Sequence, residues 1–217
     1  MVVYPHPDDE TMASGGLLLA AKKLGWQTVV VTLTKGGAGQ IHIPINGFTL
    51  KEVRTKELNK AIKILEVDNL ELGDFDDGKL RAQKNKWIKW LNEQMRKYGP
   101  GIVVTYDHSG ITGHPDHISL SKESRNITKK LFWSTVPKNF RFLNPLVQEF
   151  VAAPTHALDL GGDWVKKYLA AKVHKSQALG KGWPVPLWLA LFLNRTEWYH
   201  EVDPSKNYPY KFVEFKI

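Results

Sequence analysis

No cysteine occurs among the 217 residues. Disulfides, thiolate metal sites and a cysteine nucleophile are therefore excluded, and any metal must be held by histidine and carboxylate. Long apolar runs are missing too. The longest, Pro184 to Leu193, is about half of what a bilayer-spanning helix needs. No signal-peptide pattern precedes the acidic motif near Met1, so the expected location is the cytoplasm. Repeats, low-complexity tracts and obvious linkers are absent, which leaves one domain over residues 1–217 as the expectation.

Acid is the minority charge. There are 22 Asp and Glu against 30 Lys and Arg, a formal net charge of +8. The basic residues are spread out, as in Lys122–Lys130 and Lys166–Lys181, and form no nucleic-acid arm. A solvated lysine-rich surface is the simplest reading, with a weak lean toward an anionic substrate and none toward nucleic acid. The 42% hydrophobic and 24% charged residues place the chain among ordinary globular proteins. Eight tryptophans are many for this length, and suit a core, a stacking surface or an interface.

Thr28–Thr34 (TVVVTLT) and Gly101–Asp107 (GIVVTYD) read as strands buried on both faces of a parallel sheet. Helices are predicted over Gly16–Leu24, Leu50–Leu65, Asn85–Tyr98, Pro115–Leu131 and Asp163–Leu179, with Gly99-Pro100 as a stop signal. Val147–Ala152 and Tyr210–Phe215 read as later strands, and Asn139–Pro145 and Gly180–Pro186 as loops. Alternating helices and strands predict an α/β fold, a mostly parallel sheet flanked by helices. Sites in such sheets form beyond the carboxyl ends of the strands. Three polar segments fall at that edge: His6–Glu10, Lys35–Gly39 and Asp107–His117.

Within YPHPDDE (Tyr4–Glu10), His6 and Asp9 lie three apart on a proline-constrained turn, and both are ordinary zinc ligands. Asp8 could instead face a metal-bound water. The same aspartates also suit a turn that caps the next helix. In GHPDH (Gly113–His117), His114 and His117 are again three apart, with Pro115 at a first helical position. His6, Asp9 and His117 together make a three-ligand set that leaves one position open for water.

PHPDDE followed about a hundred residues later by GHPDH resembles the LmbE-like, PIG-L-like family of zinc-dependent de-N-acetylases. TLTKGGAG (Thr32–Gly39), VRTKELNKAIKILEV (Val53–Val67) with Arg54 and Glu57, TYDHSGITGHPDH, and HKSQ (His174–Gln177) are similar to further landmarks of that family, over about residues 1–180. Residues 181–217 are a less family-like elaboration. The resemblance implies a Rossmann-like fold and a hydrolase that removes an N-acetyl group from an N-acetylglucosaminyl conjugate. It assigns zinc, or another divalent ion, to His6, Asp9 and His117. It makes Asp8 the general base and His114 the electrostatic stabiliser or acid, with Asp116 behind it. Arg54, His174 and Gln177 would lie by the substrate. Alternatives are a zinc amidohydrolase on a non-sugar amide, and a binding protein with a residual metal site.

Four departures stand out. The lead into the motif, Met1–Tyr4, is short for the family and predicts a clipped central strand. Gly37 stands where many members have glutamate, and Thr112 where some have an oxyanion-side tyrosine. TKGGAG lacks the nucleotide-loop spacings; its glycines suit a backbone passing close to the metal site. GDFDDGKL (Gly73–Leu80) reads as an exposed turn, or as a rim loop touching sugar hydroxyls. His174 and Gln177 also suit a solvated helix face. Trp183–Arg195 reads as core or subunit interface in a homo-oligomer, or as a peripheral membrane-contacting helix with Trp183, Trp188 and Arg195 at the headgroups. His42, His108, His156 and His200 receive no role.

Overall fold

The structure is a computed structural model that describes residues 1–128, 130–138 and 148–210. Strand β1 (Val2–Tyr4) is only three residues long, yet all three are buried, because it lies in the middle of a seven-stranded sheet. Its neighbours are β2 (Val29–Thr34) and β4 (Val103–Tyr106), and β3 (Asn69–Phe75) and β5 (Leu131–Thr135) flank these. These four pairings are parallel. β6 (His156–Asp159) and β7 (Thr196–Glu201) extend the β5 side antiparallel, giving the order β3-β2-β1-β4-β5-β7-β6. The α/β, mostly parallel expectation holds.

Period-two alternation splits β1 between two cores. Val2 and Tyr4 pack with Leu18, Leu58 and Leu65, whereas Val3 packs with Val31, Trp87 and Leu120. Helices α1 (Asp9–Lys23) and α2 (Leu50–Ile64) cover the first face; α3 (Lys84–Tyr98) and α5 (Pro115–Ser124) cover the second. A single turn, α4 (Gly110–Gly113), precedes α5. Thr49 and Glu52 form a reciprocal capping box at the start of α2. Gly99, left-handed at φ 52°, ends α3.

Several boundaries differ from expectation. α1 begins at Asp9, not Gly16, and passes a kink at Ser14 (φ −144°), whose Oγ lies 2.6 Å from the Tyr4 hydroxyl. Acid in its first turn suits the helix dipole, so the small-residue stretch continues the helix rather than starting it. α5 stops at Ser124: Asn126, Ile127 and Thr128 are weak helix formers, and Leu131–Thr135 is taken by pairing with β4 and β7. The predicted Asp163–Leu179 helix is α6 (Trp164–Val173) followed by a 3-10 turn, Lys175–Gln177. Residues 148–152 form no strand. The expected Asn139–Pro145 loop, Val147, and the Tyr210–Phe215 strand beyond Tyr210 lie outside the described residues. The apolar Leu187–Leu193 forms α7, which packs on α6. Among the described residues no helix is long and apolar enough to cross a membrane.

Candidate active site

The chain runs outward from β1 to β2 and β3, then returns to β4 on the other side of β1. The crevice at that reversal is where ligands bind in open α/β sheets. His6–Asp9 leave the carboxyl end of β1, and Asp107–His117 leave that of β4.

His6 Nδ1, Asp9 Oδ2 and His117 Nε2 converge there, with separations of 3.4 Å (His6–Asp9), 3.6 Å (His117–Asp9) and 3.3 Å (His117–His6). Ligands about 2.0–2.1 Å from a tetrahedral ion stand about 3.3–3.4 Å apart, so this donor set fits a divalent metal. The remaining ring nitrogens are held from behind. His6 Nε2 lies 2.9 Å from Asp77 Oδ1 and 3.3 Å from Asp116 Oδ2, and His117 Nδ1 lies 3.0 Å from the Gly110 carbonyl. Such partners fix the tautomer and aim the other nitrogen at the metal. Tyr106 donates to Asp9 Oδ1 (2.9 Å) and stacks on His117 with ring centres 4.4 Å apart.

Among the described residues two other trios have donor atoms within 4.8 Å of one another: His6, His114, His117, and His6, Asp77, Asp116. The second offers less, because Asp116 is already bonded by the Gly78 and Leu80 N–H groups (2.7 and 3.0 Å) and shares the proton-bearing nitrogen of His6.

Electrostatics separate the two aspartates. Burial alone would raise Asp9, but the His117 and His6 imidazoles and the His6 N–H hold it well below the ordinary carboxylate range. Asp8 is pushed up to about 7 by burial, against the pull of Arg54. Burial lowers His117 to about 4, leaving it neutral as a ligand must be. His6 is raised despite burial, by Asp116, Asp77 and Asp9.

Asp8 sits at φ 102°, rare for a residue with a side chain, and strain of this kind gathers at functional sites. Glu10, fully buried, holds the turn: its Oε2 accepts the Asp8 N–H (3.0 Å) and its Oε1 the Thr11 hydroxyl (2.7 Å). Arg54 grips the same turn, donating to Pro7 O (2.5 Å) and Gly36 O (3.1 Å), with Nη2 3.5 Å from Asp8 Oδ1. Its guanidinium is therefore committed to Asp8 and two loops, rather than free for substrate. Gly36 (φ 65°) makes room for it, since a Cβ there would lie 2.2 Å from Nη1. The glycine loop thus accommodates Arg54, not the metal. Gly36→Ala should destabilise the fold by about 2 kcal/mol or more, from strain plus collision, read as a lowered urea midpoint.

Other expected residues land differently. Asp116 does not back His114; it supports His6 and the loop after β3. His114 Nδ1 accepts the Asp116 N–H (3.2 Å), and burial with the nearby His6 lowers its pKa, so it is a neutral imidazole with Nε2–H free to donate. His174 is 1% exposed, with Nε2 3.3 Å from Glu10, on neither a solvated face nor the pocket wall. Gln177 donates to Ser176 Oγ (2.9 Å), and Ser176 is anchored on Glu57 through N (2.9 Å) and Oγ (2.6 Å). The HKSQ stretch thus braces α2 and the Asp8 turn. Missed altogether were Asp77, Tyr106 and the bracing role of Glu10. Asp77 carried a signal, since DFDDGK lies at the sheet edge where sites form; the other two carried none. Asp77→Asn should weaken metal binding about 10–100-fold, measurable by competition with a chromophoric chelator.

Asp8, Asp9 and His117 open into a cavity of about 320 Å³. Its lining is largely apolar, with Met12, Ile111, Val136, Leu179, Trp183 and Leu191. Trp183 therefore turns inward, not toward headgroups.

The sequence profile of the PIG-L family, described as GlcNAc-PI de-N-acetylase, matches residues 1–128, more than half of the chain. The chain belongs to the PIG-L family. A 1D-myo-inositol 2-acetamido-2-deoxy-alpha-D-glucopyranoside deacetylase of Corynebacterium diphtheriae is 30% identical over 165 residues, covering 64% of this chain and 56% of the relative. A probable N-acetyl-alpha-D-glucosaminyl L-malate deacetylase 2 of Bacillus anthracis is 28% identical over 194 residues, covering 82% of this chain and 78% of the relative. The chain thus spans a little over half of the first relative and more of the second. Among solved structures, GalB, the 4-carboxy-2-hydroxymuconate hydratase of Pseudomonas putida KT2440, superposes with a TM-score of 0.71 at 20% identity, over 96% of this chain and 97% of that one. That likeness shows the fold alone.

Proposed function

We propose that this PIG-L-family chain is a zinc-dependent N-deacetylase acting on a small N-acetylglucosaminyl conjugate. One observation carries the reading: three metal-competent donors converge beside a carboxyl group tuned to about 7. The relatives that are named as deacetylases of glucosaminyl conjugates support the choice of bond. Two imidazoles and one carboxylate are a common zinc donor set.

His6, Asp9 and His117 would hold the ion, which when bound polarises the acetyl carbonyl and lowers the pKa of water at its open position to about 7. Asp8 takes the proton from the attacking water and returns it to the departing amine nitrogen, a task suited to a group whose pKa lies near working pH. His114 offers a ring nitrogen within 4.8 Å of donors on His6 and His117, and as a neutral donor it stabilises the oxyanion of the tetrahedral intermediate. Arg54 and Glu10 keep Asp8 in its strained position. Asp77, Asp116 and Tyr106 aim His6 and Asp9.

The test is acetate release from a panel of N-acetylglucosaminyl conjugates, with and without chelator. Turnover that is lost on chelation and restored by zinc is expected. Zinc binding with no acetate from any glucosaminyl substrate would move the reading to a non-sugar amide.

A further inference from the structure

Among the described residues nine large apolar side chains are exposed, and five of them, Val165, Leu169, Trp188, Phe192 and Leu193, belong to α6 and α7. Val165, Leu169 and Lys172 fall at i, i+4 and i+7 on α6, one outward stripe. Trp188 and Phe192 form the matching stripe on α7, and Leu193 beside them is 64% exposed. Trp164 meets Phe192 edge-on at 5.3 Å and joins the two. The patch is thus a surface made by two packed helices rather than scattered residues, and contiguous patches of this kind mark contact sites.

Charge selects the occupant. From Trp164 to Arg195 there are six Lys or Arg and no Asp or Glu. Lys167 is buried on Glu197 and Lys166 is paired with Glu66. Lys172, Lys175, Lys181 and Arg195 are exposed, with no carboxylate partner among the described residues. A second copy of the chain would set these cations against themselves. An anionic bilayer would neutralise them while taking up the apolar side chains, the arrangement of interfacial amphipathic helices.

We infer that the outer face of α6 and α7 docks on an anionic lipid bilayer. The inner face of α7 supplies Ala190 and Leu191 to the wall of the active-site cavity, so docking brings that wall close to the bilayer.

Co-sedimentation with vesicles, without substrate, tests the docking. Wild-type protein should bind phosphatidylcholine–phosphatidylglycerol vesicles at least roughly tenfold better than phosphatidylcholine alone, and lose that binding in about 0.5 M salt. Lys172→Glu/Lys181→Glu/Arg195→Glu and Trp188→Ser/Leu193→Ser should each lose at least roughly tenfold in binding. Both should keep their thermal midpoint and their turnover of a water-soluble N-acetylglucosaminyl conjugate. Equal binding to neutral vesicles, no binding at low salt, or wild-type binding by the charge-reversal variant overturns the inference. So does a dimer that is abolished by Trp188→Ser/Leu193→Ser in a protein that ignores vesicles. Vesicle binding by a protein that releases no acetate would instead sink the deacetylase reading alone.

Discussion

Replacing Asp8 by asparagine is expected to lower turnover about 10²–10⁴-fold and, at the same time, to stabilise the chelated protein at pH 8. Both effects come from one property. The Asp8 carboxyl titrates near 7 in the folded chain, against an ordinary value of 3.8, because burial penalises its charge more than Arg54 relieves it. Below about pH 4 the group is protonated in both folded and unfolded chains and contributes nothing. Between about 4 and 7 the unfolded chain gives up the proton more readily, so stability falls as pH rises. Above 7 the full penalty is in place. Three pKa units correspond to about 4 kcal/mol, reduced by the solvent that reaches Asp8 at the cavity mouth. Asparagine is close to the neutral acid in shape and tolerates the positive φ. Urea denaturation in chelator should therefore favour Asp8→Asn by a few kcal/mol at pH 8, with the advantage shrinking toward pH 4. Equal stability at pH 8, or wild-type acetate release from the zinc-loaded variant, would refute the assignment of Asp8 as a strained, buried base.

Arg54 explains why such a group persists. It is buried beside Asp8, and its bonds to Pro7 and Gly36 tie the first two polar loops together. Without a cation there the carboxyl would be protonated at working pH and useless as a base. The cost in stability and the gain in proton transfer are the same interaction, a common trade at active sites.

The parts legible in the sequence were those written in local pattern. Continuous β-branched runs gave β2 and β4, and helical periodicity with caps gave α2 and α3 almost to the residue. The convergence of His6, Asp9 and His117 was legible because spacing of three on proline-bounded turns leaves little freedom, and because both turns follow parallel strands. What stayed hidden depends on tertiary partners. β7 exists through its pairing with β5 and β6 through its pairing with β7, and their own residues, HALD and TEWYHE, carry weak alternation. Asp116 looked like a partner of His114 from two residues away. The helix start turns its carboxylate back to Gly78 and Leu80, so only its N–H reaches His114. Asp77 and Glu10 act across 71 and 164 residues of chain, on His6 and beside His174, which no one-dimensional spacing reveals.

Zinc added at about 100 times its Kd should stabilise the wild-type protein by about 2.7 kcal/mol, or about 5–10 °C in Tm for a chain of this size, and His117→Ala should abolish that response. His117 supplies one of the three proposed donors, and its Nε2 is placed by the Gly110 bond and by stacking on Tyr106. Gly110 is itself fixed: at φ 67°, a Cβ there would come within 2.9 Å of the His117 Cβ. Two donors cannot close a stable site, so the loss in affinity should exceed the roughly 10–100-fold of a supporting residue. Asp77→Asn, which removes only such support, should keep about 0.4–1.4 kcal/mol of the response at the same zinc concentration. His42→Ala alters an exposed imidazole outside the donor set and should behave as wild type. The order is the test: wild type and His42→Ala highest, Asp77→Asn between, His117→Ala flat, with acetate release ranked the same way. A His117→Ala protein that still gains the full Tm increment would place the ion elsewhere. Asp77→Asn as flat as His117→Ala would make Asp77 a ligand, and the cluster of His6, Asp77 and Asp116 the metal's seat.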